Sequence, residues 1–393
     1  MILIHNAKIY TMNDKIYDSG CILVKDGKIL EIADEIEQLK NDLENVTRRI
    51  DANGNFVLPG FVEPHCHIGL WGDSIGFEGA DGNEETDPMT PHLRAIDGIN
   101  IFDKGFREAR EAGVTTVVTG PGSSNVSGGQ FVALKTYGNT IEDMIVKEPV
   151  ATKIAFGENP KTVYNDKRQT PVTRMATAAI LREALRRAQD YKEMLEEYNQ
   201  DKKENDKPEY DPKSEALIKV LNKEIPFKAH AHRADDILTA IRIAKEFDVK
   251  LTIEHCTDGL LVKEVLKKEQ IPAIVGPILT DRSKPELINQ SAKTGGILAK
   301  NGILVAIMTD HPVVPINYLP LQAAIIAKEG MDEEKALEAI TINAARVCGI
   351  DDRVGSLEVG KDADIIILNG HPFVLKTDVV LTMINGEVVY ENN

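Results

Sequence analysis

The spacing of apolar positions divides the chain into strand-rich ends and a long alternating middle. Four β-rich runs lie near the start, at residues 2–4, 7–11, 21–25 and 28–32. Asp26-Gly27 lies between the last two runs and predicts a tight hairpin turn. Near the other end, residues 363–368 are apolar, and the runs 382–384 and 388–390 flank Asn385-Gly386. The pattern predicts one small β-domain built from both termini, with two unrelated edge hairpins as the alternative.

The middle of the chain alternates short apolar runs with helical patterns. The apolar runs number eight, at residues 60–64, 114–119, 131–137, 152–156, 227–230, 250–253, 271–275 and 303–308. Helical patterns lie between several of them, for example at 235–247 and 333–347. This alternation is typical of an α/β fold with a parallel sheet, and eight strands close a (β/α)₈ barrel. Residues 182–223 are charge-dense and predict a solvated helix and loop without chemistry.

Composition and charge narrow the class of protein. The chain has 393 residues, with 46 Lys and Arg against 62 Asp and Glu, which gives a net charge of −16. Because such a surface repels phosphate backbones and anionic lipid, we expect no nucleic-acid partner and no membrane partner. The four cysteines lie far apart without C-x-x-C spacing, which favours a reducing cytoplasm over a disulfide framework. These features indicate a cytoplasmic enzyme with a small-molecule substrate.

Histidines and one aspartate stand at the carboxyl ends of the predicted strands. His65 and His67 follow the first run, and residues i and i+2 of a strand point to the same face. His230 and His255 close the fifth and sixth strands, and Asp310 follows the eighth. A carboxylate just past a buried strand is costly unless something cationic meets it. Together the five side chains predict one metal site, although each taken alone is compatible with a satisfied polar group in a loop.

The donor atoms restrict the choice of metal. Neutral imidazole nitrogens and carboxylate oxygens are ligands for divalent zinc, manganese, iron and cobalt. We expect one or two divalent ions, with zinc as the first choice and Mn, Fe or Co as alternatives. Cys66 alternates away from its neighbouring histidines and Cys256 follows His255, so neither is assigned a ligand role.

Taken in order along nearly the whole chain, these motifs resemble those of the amidohydrolase superfamily of metal-dependent hydrolases. The matching stretches are Pro59-Gly60-Phe61-Val62-Glu63-Pro64-His65-Cys66-His67, His230, Ile253-Glu254-His255, Thr309-Asp310-His311 and Gly360-Lys361-Asp362-Ala363-Asp364. The branch it resembles is that of imidazolonepropionase-related and Xaa-Pro dipeptidase-like enzymes. The resemblance implies a barrel over residues 59–352 and a β-sandwich domain from residues 1–58 and 353–393. It further implies a homo-oligomer whose metal centre is held by His65, His67, His230, His255 and Asp310.

Binuclear members of this superfamily have a further anionic bridge from the fourth strand, either a carbamylated lysine or a glutamate. Two residues offer it here, Lys153 within the strand and Glu158 at its carboxyl rim. We favour Glu158, because a short carboxylate at the rim would reach the ions, and keep carbamylated Lys153 as the alternative. A turn or helix-start role before Asn159-Pro160 is the competing interpretation of Glu158.

The resemblance also implies a hydrolytic mechanism. A divalent cation lowers the pKa of a bound water toward ~7, and Asp310 takes up the water proton and returns it to the leaving nitrogen. His232, two residues after His230, is a candidate to stabilise the oxyanion or to orient a ligand. Arg94 and Arg233 are candidates to bind a substrate carboxylate, or else members of surface ion pairs.

The predicted reaction is hydrolysis of an amide, cyclic amide or peptide C–N bond in a small molecule. Mononuclear deaminases of the superfamily have a glutamate three residues after the strand-five histidine, where this chain has Arg233. Deamination of a small heterocycle is therefore the second choice. A non-catalytic structural relative and a metal-storage protein are further alternatives, disfavoured because all five ligand candidates are present.

Overall fold

Two eight-stranded sheets organise the part of the chain that the computed structural model describes, residues 1–13, 15–41, 43–72, 76–203 and 205–392. In chain order the strands and helices are β1 (Ile2–Tyr10), β2 (Ile16–Lys25), β3 (Lys28–Ala33), β4 (Arg48–Asp51), β5 (Phe56–Pro59), β6 (Phe61–Cys66), α1 (Lys104–Glu111), β7 (Val114–Thr119), β8 (Ser127–Lys135), α2 (Ile141–Met144), β9 (Ile145–Ala155), α3 (Glu158–Asp166), α4 (Arg174–Gln200), α5 (Pro212–Leu221), β10 (Phe227–Ala231), α6 (Ala234–Glu246), β11 (Leu251–His255), α7 (Gly259–Lys268), β12 (Ala273–Val275), α8 (Lys293–Lys300), β13 (Val305–Ile307), α9 (Leu319–Lys328), α10 (Glu333–Glu338), α11 (Ile342–Cys348), β14 (Ile365–Leu368), β15 (Val379–Ile384) and β16 (Glu387–Glu391).

One sheet, here called the terminal sheet, combines strands from both ends of the chain. Its order is β16-β15-β14-β5-β1-β2-β3, and β4 also pairs with β1. Both predicted hairpin turns are present, with φ angles of 50° and 77° at Asp26 and Gly27, and of 48° and 76° at Asn385 and Gly386. Two successive positive φ angles are typical of the type I′ turn that matches strand twist. The expected β-domain from both termini is confirmed, while its limits at 58/59 and 352/353 stay predictions.

The other sheet, here called the barrel sheet, runs in the order β6 to β13, and each of its strands overlaps one of the eight predicted apolar runs. Its two ends approach each other, since the His67 N–H donates to the His311 carbonyl at 2.8 Å. The sheet is therefore nearly closed, and the α/β barrel class is confirmed. Such a barrel gathers the carboxyl ends of its strands at one mouth, where active sites of this fold are built.

The barrel sheet departs from the expected parallel arrangement at one strand. β8 is antiparallel to both of its neighbours, β7 and β9. Residues 120–126 join β7 to β8, and so short a segment cannot make the crossover of a dozen or more residues that parallel neighbours need. The connection length therefore dictates the reversal.

Two helical predictions need correction. The charged insertion at 182–223 contains most of α4 and the whole of α5, and Leu185 and Tyr191 on α4 are buried, so one face of this segment is packed and not solvated. The single helical pattern at 333–347 is divided into α10 and α11 by residues 339–341.

Within the described ranges, no helix has the length and apolar character that a bilayer crossing requires.

A buried ion cluster joins the barrel sheet to the terminal sheet. Lys135, at the end of β8, is 1% exposed, and its Nζ lies 2.9 Å from Asp362 Oδ2 and 2.5 Å from Asp364 Oδ2. Burial alone would raise the pKa of Asp362, but the charge of Lys135 and hydrogen bonds from Lys28 and Lys135 hold that pKa below its usual value. The ionised carboxylate therefore stabilises the fold at neutral pH. This contribution is lost as the pH falls through the lowered pKa.

Lys135→Met is expected to lower the free energy of unfolding at pH 7 by about 3–5 kcal/mol, because it leaves the buried carboxylate of Asp364 without its cation. Asp362 also loses Lys135 but keeps its ion pairs with Lys28 and Arg353. Lys28→Met is the matched control, with an expected loss of about 0–1 kcal/mol, since Lys28 contacts Asp362 from a half-exposed position. Urea denaturation at pH 7 and at acidic pH measures both effects. The gap between Lys135→Met and the unsubstituted protein should narrow at acidic pH. Equal midpoints for Lys135→Met and Lys28→Met at pH 7 would contradict this account of the cluster.

Candidate metal centre and its cavity

Six buried side chains converge at the mouth of the barrel, at or just beyond the carboxyl ends of four strands. They are His65 and His67 from β6, His230 and His232 from β10, His255 from β11, and Asp310 after β13. They come from distant parts of the sequence and meet because a barrel brings the ends of its strands to one rim.

The first group consists of His65, His67 and Asp310. Their ligand atoms all lie within 4.8 Å of one another. Asp310 Oδ1 is 3.2 Å from His67 Nε2 and 3.6 Å from His65 Nε2. The structure thus brings together the H-x-H pair and the aspartate that follows the eighth strand.

The second group consists of His230, His232 and His255, whose ligand atoms again lie within 4.8 Å of one another. The His255 ring centroid is 4.5 Å from that of His230 and 4.3 Å from that of His232. His255 also lies beside the first group, with its ring centroid 6.2 Å from that of His65. The two groups are therefore adjacent, and His232 is a full member of the second one.

Lys153, and not Glu158, lies with the ligand groups. Lys153 on β9 is buried, and its Nζ is 3.1 Å from His65 Nε2. Glu158 is the first residue of α3 and borders a separate cavity together with Arg174 and Arg233. Gly157, with a φ of 85°, turns the chain between β9 and α3. The structure therefore does not bring Glu158, the favoured candidate, together with the other candidate ligands, because this turn makes it the first residue of a helix outside the group.

Burial sets the ionisation of the basic groups. It lowers the pKa of Lys153 to about 8, so roughly a tenth of this amine is uncharged at pH 7. It also holds the pKa values of His65, His230 and His255 well below the usual range, and lowers the pKa of His232 to about 4. The imidazoles are therefore neutral at pH 7, which is the form that binds metals.

Backbone carbonyls orient two of the imidazole rings. His67 Nδ1 donates to the Gly120 carbonyl at 2.7 Å, and His255 Nδ1 donates to the Gly276 carbonyl at 2.9 Å. Gly276 has a φ of 127°, and a Cβ there would lie 2.5 Å from the Met308 carbonyl oxygen, so only glycine fits. With the hydrogens on Nδ1, the Nε2 atoms present lone pairs.

Two buried carboxylates support the ligands from below. Glu254 Oε2 lies 3.1 Å from His65 Nδ1 and 3.2 Å from Lys228 Nζ, so a carboxylate oxygen stands beside both side chains. Glu63 accepts hydrogen bonds from the His65 N–H and, at its other oxygen, from the N–H and hydroxyl of Thr309. Burial raises the pKa of Glu63 to about 8. Glu63 thereby ties the strand of the H-x-H pair to the segment that carries Asp310.

The chemistry of the donors fits a divalent metal ion. Asp310 Oδ1 is buried, has no hydrogen-bond partner among the described residues, and faces the Nε2 lone pair of His67 at 3.2 Å. A carboxylate oxygen and an imidazole lone pair repel each other at this distance unless a cation lies between them. Imidazole nitrogens with one carboxylate are ligands that divalent transition metals accept.

Two of the candidate ligands have strained backbones. His255 and Asp310 adopt φ angles of 69° and 54°, in the left-handed region that non-glycine residues avoid. Such a conformation costs about 1–3 kcal/mol and persists only where the surrounding structure holds it. Its occurrence at two ligands in one site indicates a functional arrangement.

A cavity of about 460 Å³ lies over both groups, and its wall includes His67, His230, His232, His255 and Asp310. Trp71 also lines it and packs edge-on against His67, with ring centroids 5.1 Å apart. This volume suits a small molecule.

The two arginines expected to bind substrate do not line this cavity. Arg94 Nε lies 3.0 Å from Glu148 Oε1, and Arg94 lines a different cavity from the one above the two groups. Arg233 makes two hydrogen bonds to Asp235, at 2.9 Å and 3.0 Å. Both guanidinium groups are engaged in ion pairs near the surface. This is the alternative role that the sequence analysis gave for each arginine.

The loop after β12 supplies two residues that sequence reasoning missed. Glu286 is 3% exposed, and its Oε1 lies 3.8 Å from the Nε2 atoms of both His230 and His232. Lys284 lines the cavity and donates to Asn159 Oδ1 at 2.6 Å. The sequence offered one signal for these two residues, which is their position in a loop after a barrel strand, because such loops build the active-site mouth.

Comparisons with known proteins agree with this geometry. A family model described as the amidohydrolase family matches residues 213–389. The crystal structure of an amidohydrolase from Thermotoga maritima MSB8 is 42% identical, covers 100% of both chains, and superposes with a TM-score of 0.94. Amidohydrolase tasK of Hapsidospora irregularis is 26% identical over 398 residues, and the match covers 95% of this chain but only 40% of that protein.

A further relative bears on the branch of the superfamily. An imidazolonepropionase of Symbiobacterium thermophilum is 27% identical over 380 residues, covering 89% of this chain and 84% of that enzyme. The resemblance to imidazolonepropionase-related amidohydrolases, inferred from the H-x-H stretch and the later motifs, is confirmed.

Proposed function

The chain belongs to the amidohydrolase family, as a hydrolase of carbon–nitrogen bonds, and from this premise we propose that it uses two zinc ions to cleave an amide, cyclic amide or peptide bond in a small molecule. The observation that carries the proposal is the pair of adjacent groups of candidate ligands beneath one cavity, in which Asp310 Oδ1 has no hydrogen-bond partner among the described residues. His65, His67 and Asp310 would hold one ion, and His230 and His255 the other.

The position of Lys153 supports a bridged centre. Its amine lies 3.1 Å from His65 Nε2 and has the lowered pKa that leaves it partly uncharged. An uncharged amine attacks CO₂, forming an N–C bond and releasing one proton to solvent. The resulting carbamate offers carboxylate oxygens in place of an ammonium charge, as family resemblance implies for this strand.

The chain's own residues supply proton transfer and positioning. A bound divalent cation makes water acidic and polarises a carbonyl group. Asp310, which lines the cavity and has one oxygen without a hydrogen-bond partner among the described residues, would accept the proton of the attacking water and return it to the leaving nitrogen. His232 lines the same wall and has Nδ1 2.8 Å from the Thr257 hydroxyl, which can donate or accept. In one tautomer His232 is a ligand, and in the other its Nε2–H can stabilise an oxyanion.

Zinc is our first choice, because imidazole-rich sites with one carboxylate suit it, with manganese, iron and cobalt as alternatives.

We also propose a cytoplasmic location, supported by four cysteines that are all buried and unpaired. Large apolar side chains such as Phe102 and Leu375, both 85% exposed, support a homo-oligomer. The net charge of −16 supports a small-molecule substrate over nucleic acid or membrane partners.

The test begins with protein stripped of metal by a chelator and reloaded with zinc, manganese, iron or cobalt. Each form is assayed on N-acyl amino acids, cyclic amides and dipeptides for C–N cleavage, and on purines and pyrimidines for ammonia release. We expect cleavage of at least one amide class that requires the metal. Ammonia release alone would establish the deaminase alternative, and metal binding without any turnover would establish the non-catalytic one.

A further inference from the structure

Lys284 differs from the other cationic side chains at the mouth of the barrel. Among the described residues that line the cavity, it is the sole lysine or arginine. Arg94 and Arg233 are paired with carboxylates, but no carboxylate oxygen of a described residue lies within 4.0 Å of Lys284 Nζ. In a chain with 62 acidic residues, a partly buried ammonium without an acidic partner is available for an anion from outside.

A short polar network fixes the position of Lys284. Its Nζ donates to Asn159 Oδ1 at 2.6 Å, and Asn159 Nδ2 donates to Ser123 Oγ at 2.7 Å. The same Asn159 nitrogen is 3.4 Å from His230 Nε2. The side-chain amide of Asn159 therefore lies between the Lys284 ammonium and His230, a candidate metal ligand. A small molecule is long enough to reach from one to the other.

We infer that Lys284, with Asn159 and Ser123, binds a carboxylate of the substrate, so that the enzyme acts on C–N bonds in small carboxylic acids. This inference rests on the proposed function. The ammonium provides the charge, and the Ser123 hydroxyl and the Asn159 amide provide hydrogen-bonding groups beside it. A single lysine balances one negative charge, which favours a carboxylate over a phosphate dianion.

The nearby acidic groups are compatible with this role. Asp281, which also lines the cavity, is exposed at its rim and accepts the N–H of Arg282. Glu286 directs one oxygen to the Glu158 N–H and the other toward His230 and His232. Neither carboxylate occupies the position beside Lys284 Nζ.

Binding of hydroxamate probes to the zinc-loaded protein tests the inference without the natural substrate. Succinic, glutaric and adipic monohydroxamates carry a metal-binding group and a carboxylate at three separations, and their carboxamide counterparts lack the charge. We expect at least one acid to bind about tenfold to a hundredfold more tightly than its carboxamide, measured by calorimetry. Lys284→Met should abolish this difference and leave carboxamide binding unchanged, while Lys284→Arg should retain part of it.

Lys293→Met is the matched control, since Lys293 is an exposed lysine at the start of α8 that does not line the cavity. It should preserve the preference for the acids. Equal binding of acids and carboxamides in the unsubstituted protein, or an undiminished preference in Lys284→Met, would overturn the inference and leave the metal centre intact. If neither kind of probe binds to the zinc-loaded protein, the proposed metal centre fails and the inference fails with it.

Discussion

Asp310→Asn is expected to lower kcat by at least about a thousandfold while the protein stays folded. The substitution removes a metal ligand and the proton acceptor together, and general acid–base catalysis alone contributes roughly 10²–10⁴-fold. The fold should tolerate the change, because Asn is nearly isosteric and Asp310 Oδ1 has no hydrogen-bond partner among the described residues. Steady-state kinetics on the best substrate of the library, together with thermal denaturation, measures both effects.

The control for this prediction is Asp352→Asn, because Asp352 is an exposed aspartate outside the cavity wall. It should retain full activity. A loss of less than about tenfold in Asp310→Asn, with metal content preserved, would exclude Asp310 as the acid–base group.

Lys153→Gln is expected to reduce the metal content and to lower kcat by about a thousandfold, because no carbamate can form at residue 153 and the bridge between the ligand groups is lost. In the unsubstituted protein, metal uptake should rise when bicarbonate is added to CO₂-depleted buffer, and in Lys153→Gln it should not respond. Elemental analysis of dialysed protein measures the metal content.

Lys147→Gln provides the comparison on the same strand, since the Lys147 ammonium bonds the Gly349 carbonyl away from the cavity. This variant should bind metal as the unsubstituted protein does and keep its bicarbonate response. Metal uptake by Lys153→Gln that equals that of Lys147→Gln would show that residue 153 is not part of the centre.

The convergence of the candidate ligands could be predicted from the sequence because of how a barrel is built. His65 and His67 share a strand face by the two-residue period, and His230, His255 and Asp310 each stand where an apolar run ends. Since the topology brings all strand ends to one rim, a strand-end position in sequence translates directly into a position in the site. No knowledge of side-chain packing is needed for this step.

Which of the two candidates for the bridge lies beside the other candidate ligands could not be predicted in the same way. Glu158 and Lys153 are both near the end of β9, and choosing between them requires the direction of the chain after the strand. The positive φ of Gly157 sets that direction, and a glycine alone does not reveal which conformation it adopts. The antiparallel direction of β8, by contrast, could have been predicted, since even the predicted gap at residues 120–130 is shorter than the crossover of a dozen or more residues that parallel neighbours need.

The residues of the long loop after β12 were beyond sequence reasoning for a different reason. Lys284 and Glu286 lie in a segment without apolar periodicity, so no pattern fixes where their side chains point. Their positions depend on tertiary contacts to α3, through Asn159 and the Glu158 N–H. Arginine was the natural expectation for binding a carboxylate, but both candidate arginines were already paired within the fold.

Anomalous diffraction from zinc-loaded crystals, recorded at the zinc absorption edge, tests the central claim most directly. The account predicts two adjacent peaks at the floor of the cavity, one in contact with His65, His67 and Asp310 and the other in contact with His230 and His255. A map without a peak at these residues after loading, or with zinc bound only elsewhere on the protein, would contradict it.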